Sequence, residues 1–338
     1  AADPTTAQFY ARQWHLRAIG ADAAWAAGRL GSPDVTVAVI DTGISYTHPD
    51  LQGRVDLSRS ISLRADDDAY VAANFPGHHP ITDVHFHGTH VASTISSNGI
   101  VGAGMTSRVT LIGVKVINRF GRGTFGDVLA ALYYAADQGA DVVNVSLGSV
   151  FAKPHNGRFV AAVQQAFNYA HRKGALVVVA AGNELTNLDK DGAAFKLYCS
   201  AANVVCVSAT GPISSSGING PWVGVDTFAW YSNYGRSAID VAGPGGTSAG
   251  MVWAACTKTS FGQPLCLTQN RLVGSMGTSM AAPHVSGLAA LLVEDVGRGR
   301  PSQVKARLLQ TADDLGARGT DPHYGKGRIN APRALGLQ

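Results

Sequence analysis

The sequence predicts a single α/β domain with a doubly wound, mostly parallel β-sheet that is flanked by helices. Short runs rich in Val, Ile and Ala alternate with longer segments whose apolar residues recur at helical spacing. Nearly continuous apolar runs are typical of parallel strands, because such strands are buried on both faces. No repeat, low-complexity tract or linker divides the chain, so we expect one domain over residues 1–338.

The predicted elements follow one another as strand, helix, strand along most of the chain. The predicted strands cover residues 35–41, 109–117, 141–147, 175–182 and 203–209. The predicted helices cover residues 124–139, 158–174, 281–296 and 301–312, and Gly139 and Gly174 suit the ends of the first two. This alternation favours right-handed crossovers, and ligands of such sheets bind beyond the carboxyl ends of the strands.

Composition excludes several classes of protein. Of 338 residues, 46% are hydrophobic, 15% are charged and 40 are glycine, which is typical of a tightly turned globular protein rather than a disordered chain. The net charge of +4 includes no block of Lys and Arg of the kind that nucleic-acid-binding proteins carry. No apolar run reaches the length that spans a bilayer. We therefore expect neither a nucleic-acid partner nor a membrane partner.

Two features of the sequence bear on the cellular location of the protein. The opening sequence AADPTTAQFYARQWHL has no hydrophobic core of a signal peptide and no initiator methionine, so we expect that a signal or pro-segment has been removed. Four cysteines fit two short disulfide loops, Cys199–Cys206 and Cys256–Cys266, while two other pairings or four free thiols remain open. Disulfides would indicate an exported protein.

Three short motifs place an Asp, a His and a Ser in turns rich in small residues. Asp41 ends the first predicted strand in VIDTG, His87 lies in HFHGTHVAS at the start of a predicted helix, and Ser279 lies in GTSMAAPH. A serine hydroxyl is a weak nucleophile until a His accepts its proton, and a carboxylate fixes the tautomer of that His. Taken singly, Asp41 would be explained as a turn cap, His87 as a structural residue and Ser279 as a helix N-cap.

Two other kinds of site are disfavoured. Five histidines lie between residues 78 and 90, but their spacing matches no standard zinc pattern and no HExxH motif accompanies them. A nucleotide or flavin site is disfavoured because no G-x-G-x-x-G or GK[ST] loop follows the first strand.

The three motifs together resemble the active-site motifs of the subtilisin-like serine proteases, or subtilases. VAVIDTGISYTHPDL, HGTHVAS and GTSMAAPHVSG occur in the family's order, and GKGRINAPRAL resembles its usual C-terminal segment. The resemblance implies a secreted serine endopeptidase that needs no cofactor for catalysis. Ser279 would be the nucleophile, His87 the general base and then acid, and Asp41 the orienting carboxylate. In AAGNE, Asn183 would donate its side-chain amide to the oxyanion together with the backbone N–H of Ser279.

The resemblance also implies that a protein or peptide substrate binds in an extended conformation between two edges. One edge is Ser146, Leu147 and Gly148, and the other lies around Gly121 and Gly123, where glycine lets a peptide backbone approach. The glycines at 121 and 123 would otherwise mark a simple turn. A further expected partner is a pro-domain that has been cleaved off.

The pocket for the P1 side chain is expected beside the substrate strand. Its predicted lining is residues 146–148, Ala180, Ala181, Gly182, Leu197 and Tyr198. No acidic floor is evident, so we expect large apolar or neutral P1 residues. Asp189 and Asp191 lie near enough in sequence to leave basic P1 residues open.

The sequence departs from the family's pattern in two insertions. Residues 65–86 include Asp66, Asp67 and Asp68, which are candidates for a structural calcium ion or simply a solvated acidic loop. Residues 242–276 are interpreted as a surface excursion pinned by Cys256 and Cys266. A calcium loop after HGTHVAS is expected to be absent. Pro283 is expected in the first turn of its helix, where a missing N–H is tolerated.

Two alternatives to a broad endopeptidase remain. A narrow processing protease would use the insertions to restrict access to the cleft. A catalytically silent binding protein on the same fold is a different class, although all three triad candidates are present.

Overall fold

The computed structural model of the protein describes residues 3–148, 150–152, 157–190, 194–196, 198–267 and 271–337. The strands named next all lie within these ranges. They are β1 (Thr36–Asp41), β2 (Ile61–Ser62), β3 (Thr110–Lys115), β4 (Val142–Val145), β5 (Val150–Ala152), β6 (Leu176–Ala180), β7 (Ala194–Lys196), β8 (Val204–Thr210), β9 (Ser214–Ser215), β10 (Trp222–Val223), β11 (Val241–Pro244), β12 (Val252–Ala255) and β13 (Leu272–Ser275). The α-helices are α1 (Trp14–Ala18), α2 (Ala21–Ala26), α3 (Ala65–Asn74), α4 (His87–Ile95), α5 (Phe125–Asp137), α6 (Gly157–Arg172), α7 (Pro264–Leu267), α8 (Thr278–Val296), α9 (Pro301–Gln310) and α10 (Ala331–Ala334).

Seven strands form one sheet in the order β11-β8-β6-β4-β1-β3-β2, and every neighbouring pair in it is parallel. The chain passes from β3 through α5 to β4, which lies on the other side of β1. The carboxyl end of β1 is therefore a topological switch point, where ligands of doubly wound sheets bind. The predicted fold class is confirmed, and the five predicted strands correspond to β1, β3, β4, β6 and β8.

Both faces of the sheet are covered, which explains the continuous apolar runs in the sequence. Along β1, Val37 and Val39 belong to one hydrophobic core, while Ala38 and Ile40 belong to the other. The first core includes residues of α4, α8 and α9, and the second includes residues of α5 and α6. Each buried Val or Ile side chain contributes about 1.5–3 kcal/mol by leaving water.

Helix α8 is buried on nearly its whole circumference. Its buried residues run from Thr278 to Val293 with one gap at Ser279, which is half-buried. A helix that is apolar all round belongs in the interior, as here between the sheet and α4. Gly287 allows the close approach, because an added Cβ there would lie 2.5 Å from the Cβ of Met105.

The structure corrects the predicted start of this helix. Helix α8 begins at Thr278 rather than near residue 281, so Pro283 lies in the second turn. The prediction that Pro283 sits in the first turn is therefore wrong. Since proline has no N–H, it cannot donate to the carbonyl oxygen of Ser279 four residues earlier.

Two segments predicted as loops contain regular structure. The acidic stretch at 65–74 is helix α3, and Asp67 within it is fully buried, so the solvated-loop interpretation is wrong. The segment 242–276 was predicted as a surface excursion, but it contains most of β11, which is an edge strand of the main sheet. It also contains the antiparallel hairpin β12–β13, in which Ala254 and Ala255 are buried.

Both predicted disulfides are confirmed. Cys199 pairs with Cys206 at a Cα–Cα distance of 5.1 Å, and Cys256 pairs with Cys266 at 5.5 Å. Each bridge closes a short loop, which stabilises the fold mainly by restricting the unfolded chain.

Helix α3 is anchored by a buried ion pair. The Nζ of Lys115, at the end of β3, lies 2.9 Å from the Asp67 carboxylate, and both side chains are 0% exposed. Arg119 also donates to Asp67 from its guanidinium at 2.7 Å. Lys115 further donates to the carbonyl of Thr82 at 3.0 Å. The insertion is therefore tied to the sheet by an Asp67–Lys115 pair that has no access to water, with the partly exposed Arg119 beside it.

A short chain of buried histidines joins the N-terminal segment to α8. Nδ1 of His284 donates to the carbonyl of Met280 at 2.8 Å, so its Nε2 must accept, and it lies 2.7 Å from Nδ1 of His15. Nε2 of His15 in turn accepts from the backbone N–H of Trp253 at 3.3 Å. Each ring thus carries one proton. Burial lowers the pKa of His284 to about 3, lowers that of nearby His90 to about 4, and holds that of His15 well below its ordinary value.

We expect Asp67→Asn to lower the free energy of unfolding by about 3–5 kcal/mol, because Lys115 would remain buried without a counter-charge. Urea unfolding at pH 7 measures the change. Asp66→Asn is the matched control, since Asp66 is exposed on the same helix and its ion pair with Arg64 contributes at most about 1 kcal/mol. Equal losses in the two variants would contradict the role of the buried pair.

We expect stability to fall as the pH drops from about 6.5 towards about 4. The unfolded chain takes up protons in this range, whereas His15, His90 and His284 have depressed pKa values in the folded protein and stay neutral. The histidine contribution is therefore present above pH 6.5 and is lost on acidification. Thermal unfolding between pH 7 and pH 4 should show a shallower acid slope in His15→Asn than in the wild type.

Candidate active site

Asp41 and His87 meet at the carboxyl end of β1. Asp41 is the last residue of this strand and is fully buried, and His87 is the first residue of α4, as the sequence predicted. Nδ1 of His87 donates to the Asp41 carboxylate, at 2.8 Å from Oδ1 and 3.0 Å from Oδ2. This bond fixes the neutral tautomer of His87, so that Nε2 is left as the proton acceptor.

The carboxylate also sets the basicity of His87. Burial by itself lowers the pKa of this imidazole, but the charge of Asp41 and its hydrogen bond outweigh that effect. The net result is a pKa of His87 raised above its ordinary value. A base with a raised pKa accepts a proton more readily at neutral pH, which suits general-base chemistry.

Asp83 holds the turn that presents His87, although it was not among the predicted site residues. Its buried carboxylate accepts five hydrogen bonds, from the backbone N–H groups of His85, Phe86 and Thr89 and the hydroxyls of Thr89 and Thr42. Phe86 has a φ of 144°, which is strained for a residue with a side chain. Asp83 therefore stabilises a strained turn directly before His87. Its only sequence signal is an Asp four residues before a His in a small-residue motif.

Ser279 is the second residue of α8 and lies against the end of β4. Its Oγ donates to the carbonyl of Ser146 at 3.0 Å, and the hydroxyl of Ser146 donates back to the carbonyl of Ser279 at 2.9 Å. Within the described residues, Ser279 forms no hydrogen bond to His87. Ser146 and His87 nevertheless line the same cavity, of about 290 Å³. In unliganded sites such hydrogen bonds are often absent and form only with substrate bound.

Asn183 follows β6 and faces the start of α8. Its Oδ1 accepts from the backbone N–H of Thr278 at 2.8 Å and from its hydroxyl at 3.0 Å. Because two donors hold the oxygen, the amide nitrogen Nδ2 is left as the donor end of this side chain. The alternative of a left-handed turn at Asn183 is wrong, since the positive φ falls on Gly182, at 98°.

The two predicted substrate edges face each other across connected cavities. Gly121, Leu147 and Gly148 line both the cavity beside His87 and a second one of about 400 Å³, which Gly123 also lines. Residues 118–122 do form a turn, closed by a bond from the N–H of Asn118 to the carbonyl of Arg122. The turn interpretation is therefore confirmed, and the same segment lines the two cavities, while its role as a substrate edge stays a prediction. Tyr198 lines the second cavity as well.

The predicted P1 pocket is described only in part. Ala180 and Ala181 are buried at the end of β6, and the N–H of Gly182 donates to the Thr278 hydroxyl at 3.0 Å. Asp191 and Leu197 lie outside the described residues. Asp189 accepts from the Ser237 hydroxyl at 2.6 Å, so its carboxylate is held by a neighbouring turn.

Two of the three acidic residues predicted as calcium ligands have other partners, while the buried Oδ1 of the third, Asp68, has no hydrogen-bond partner among the described residues. The carboxylate of Asp67 binds Lys115 and Arg119, and that of Asp66 accepts from Arg64 and Asn118. A calcium ion would have to displace these cations. Across the described ranges, no group of three or more His, Cys, Asp or Glu residues is arranged to hold a metal ion. Structural calcium remains a prediction.

A model of the subtilase family matches residues 32–327. The chain belongs to the subtilase family. It is similar to thermitase from Thermoactinomyces vulgaris, with 32% identity over 98% of this chain and 99% of thermitase. It is also similar to a thermophilic serine proteinase from Bacillus sp. strain AK1, with 34% identity over 93% of this chain, although the match spans only 64% of that protein.

Solved structures agree with the family. A lanthipeptide protease superposes on this subtilase with a TM-score of 0.78 and 28% identity, covering 97% of this chain and 96% of that chain. The epidermin leader peptide processing serine protease EpiP from Staphylococcus aureus has a TM-score of 0.80 at 22% identity, which shows the fold alone. This subtilase is therefore a serine endopeptidase.

We expect Asp41→Asn to lower the pKa of His87, because the substitution removes the charge that raises it while burial remains. NMR titration of the imidazole measures the shift. Since His87 must be neutral to accept a proton, the acidic limb of kcat/KM should move to lower pH in the variant, and kcat should fall by roughly 10⁴. A His87 pKa that does not change would contradict the role given to the carboxylate.

Proposed function

We propose that this subtilase is a secreted endopeptidase in which Asp41, His87 and Ser279 form the catalytic triad. The observation that carries the proposal is the hydrogen bond from His87 Nδ1 to the buried Asp41 carboxylate. It leaves Nε2 of His87 as the acceptor in the cavity that Ser146, the hydrogen-bond partner of Ser279, also lines. Order in the sequence, positions at the carboxyl edge of the sheet and family membership all support the assignment.

The reaction then proceeds in two half-reactions. The Ser279 hydroxyl transfers its proton to Nε2 of His87 as Oγ attacks the scissile carbonyl, and the imidazolium returns the proton to the leaving amine. Water repeats both steps on the acyl-enzyme. Before attack, the Ser279 hydroxyl must turn from the Ser146 carbonyl towards His87. A substrate strand that donates a backbone N–H to the Ser146 carbonyl would displace the Ser279 hydroxyl from it. The hydroxyl would then be free to turn towards His87 once substrate is bound.

Asn183 and the backbone N–H of Ser279 are proposed to bind the tetrahedral oxyanion. Thr278 supports this role, because it holds Oδ1 of Asn183 and leaves Nδ2 as the donor. An amide held in advance needs no reorganisation when negative charge develops. The start of α8 adds a favourable dipole.

The proposed substrate is an extended protein or peptide lying between residues 146–148 and Gly121 with Gly123. Large apolar or neutral P1 residues are favoured, since Asp189 is held by Ser237 and its neighbouring turn. The two disulfides support a location outside the cytoplasm, where they persist. No helix within the described residues is long and apolar enough to cross a membrane. A cleaved pro-domain stays an expected partner.

A narrower function has one observation in its favour. The solved structure that matches at 28% identity is a lanthipeptide protease. Helix α3 and the 256–266 disulfide loop come together beside the cleft, where the rings of Tyr70 and Phe261 lie 6.0 Å apart. These insertions would restrict access to a wide range of substrates.

The test is labelling by a fluorophosphonate probe, with the wild type beside Ser279→Ala and Asn183→Ala. We expect rapid labelling of the wild type and none of Ser279→Ala. Asn183→Ala should keep KM while kcat on casein falls by about 10²–10³, the range established with a subtilisin.

Each departure from this result has a distinct meaning. Labelling of Ser279→Ala would refute the nucleophile assignment. A folded wild type that takes up no probe would support a catalytically silent binding protein. Labelling without digestion of unfolded casein would favour the narrow processing protease.

A further inference from the structure

Pro283 leaves a gap in the hydrogen bonding of α8 at Ser279. In a regular helix the carbonyl of Ser279 would accept from the N–H of residue 283, and proline has none. Ser279 is only half-buried, but the residues on either side of it, Thr278 and Met280, are buried. A carbonyl in such a place needs another donor, because an unpaired buried acceptor is costly.

The Ser146 side chain supplies that donor. Its hydroxyl lies 2.9 Å from the Ser279 carbonyl oxygen, and Ser146 itself is 2% exposed. The contact spans 133 residues of sequence, so it joins the end of β4 to the first turn of α8. The bond therefore replaces a helix hydrogen bond with one that ties the helix to the sheet.

A buried polar chain fixes the direction of this donation. The Ser286 hydroxyl donates to Oδ1 of Asn144 at 2.8 Å, and Nδ2 of Asn144 donates to Oγ of Ser146 at 2.9 Å. Asn144 and Ser286 are both 0% exposed. Because the Ser146 oxygen accepts from Asn144, its single proton is free to point at Ser279. The chain starts and ends on α8 and passes through β4.

We infer that the Ser146 side chain is a positioning residue for the nucleophile, made necessary by Pro283. The inference rests on the proposed role of Ser279. The backbone of Ser146 belongs to the edge that would pair with the substrate. The Ser146 hydroxyl donates to the backbone carbonyl of Ser279. The Ser146 side chain thus fixes the position of Ser279 relative to the substrate strand, which would carry the scissile bond. A shift of the nucleophile affects the chemical step more than substrate binding.

The test is a double-mutant cycle of Ser146→Ala and Pro283→Ala. Ser146→Ala should lower kcat roughly tenfold while KM stays within about twofold. Pro283→Ala restores an N–H to the helix and removes the need for the Ser146 hydroxyl. In that background, Ser146→Ala should change kcat by about twofold or less. Ser146→Thr retains a hydroxyl and should keep kcat within about threefold of the wild type.

A matched control separates positioning from stability. The buried Ser208 hydroxyl donates to the carbonyl of His323 at 2.6 Å, and within the described residues Ser208 forms no hydrogen bond to Ser146 or Ser279. Ser208→Ala should lower the melting temperature about as much as Ser146→Ala does but leave kcat unchanged.

The inference is overturned if Ser146→Ala lowers kcat equally in both backgrounds, or if it changes only KM or the melting temperature. Should Ser146→Ala alone fail to fold, the double variant must fold and match Pro283→Ala; failure of the double variant where Pro283→Ala folds overturns the inference as well. Turnover of Ser279→Ala at close to the wild-type rate, measured in parallel, would instead refute the proposed function, since loss of the nucleophile leaves only the weak catalysis of the oxyanion site and of substrate binding. The two failures are therefore distinguishable.

Discussion

The burial of helix α8 on all sides is the constraint on which the rest of the site depends. Its apolar residues fill the space between the sheet and α4, and Gly287 allows contact without a gap. A helix held in this way cannot slide or rotate without opening cavities in the core, and such cavities are costly. Ser279, at the first turn, is therefore fixed relative to the strands that carry Asp41 and Ser146. The geometry of the site is a consequence of core packing.

Parallel strands bring the polar groups of the site to one edge. Asp41 ends β1, Ser146 follows β4 and Asn183 follows β6, and these three strands are neighbours in the sheet. The same edge receives the first residues of α4 and α8, with His87 and Ser279. Residues that are far apart in the chain meet because all these strands point in one direction. The polar groups at these strand ends can then pair with one another, which avoids the cost of burying them unpaired.

The sequence predicted the sheet, its central strands, the helices α5 and α6, and both disulfides. These features depend on local patterns, such as apolar runs and spacing, or on short loops. It did not predict the bonds of Asp83 or the path from Ser286 through Asn144 to Ser146, because those contacts form only when distant segments pack together. The predicted start of α8 near residue 281 was wrong for the same reason, since it placed Pro283 in the first turn. From local sequence alone, a proline indicates the first turn of a helix. Here the Ser146 hydroxyl, directly after β4, donates to the carbonyl that the N–H of residue 283 would otherwise bind.

The histidine chain has a consequence for how the polypeptide reaches its native state. His15 and His284 are 269 positions apart, and the hydrogen bond between them joins the N-terminal segment to the helix that carries Ser279. During synthesis, the residues around His15 leave the ribosome long before their partner exists. Contacts of such large sequence separation form slowly, since a long loop must close before they stabilise anything. The segment around His15 can bind its partners near residues 100–105 early, but its link to α8 can form only after residue 284 has been made.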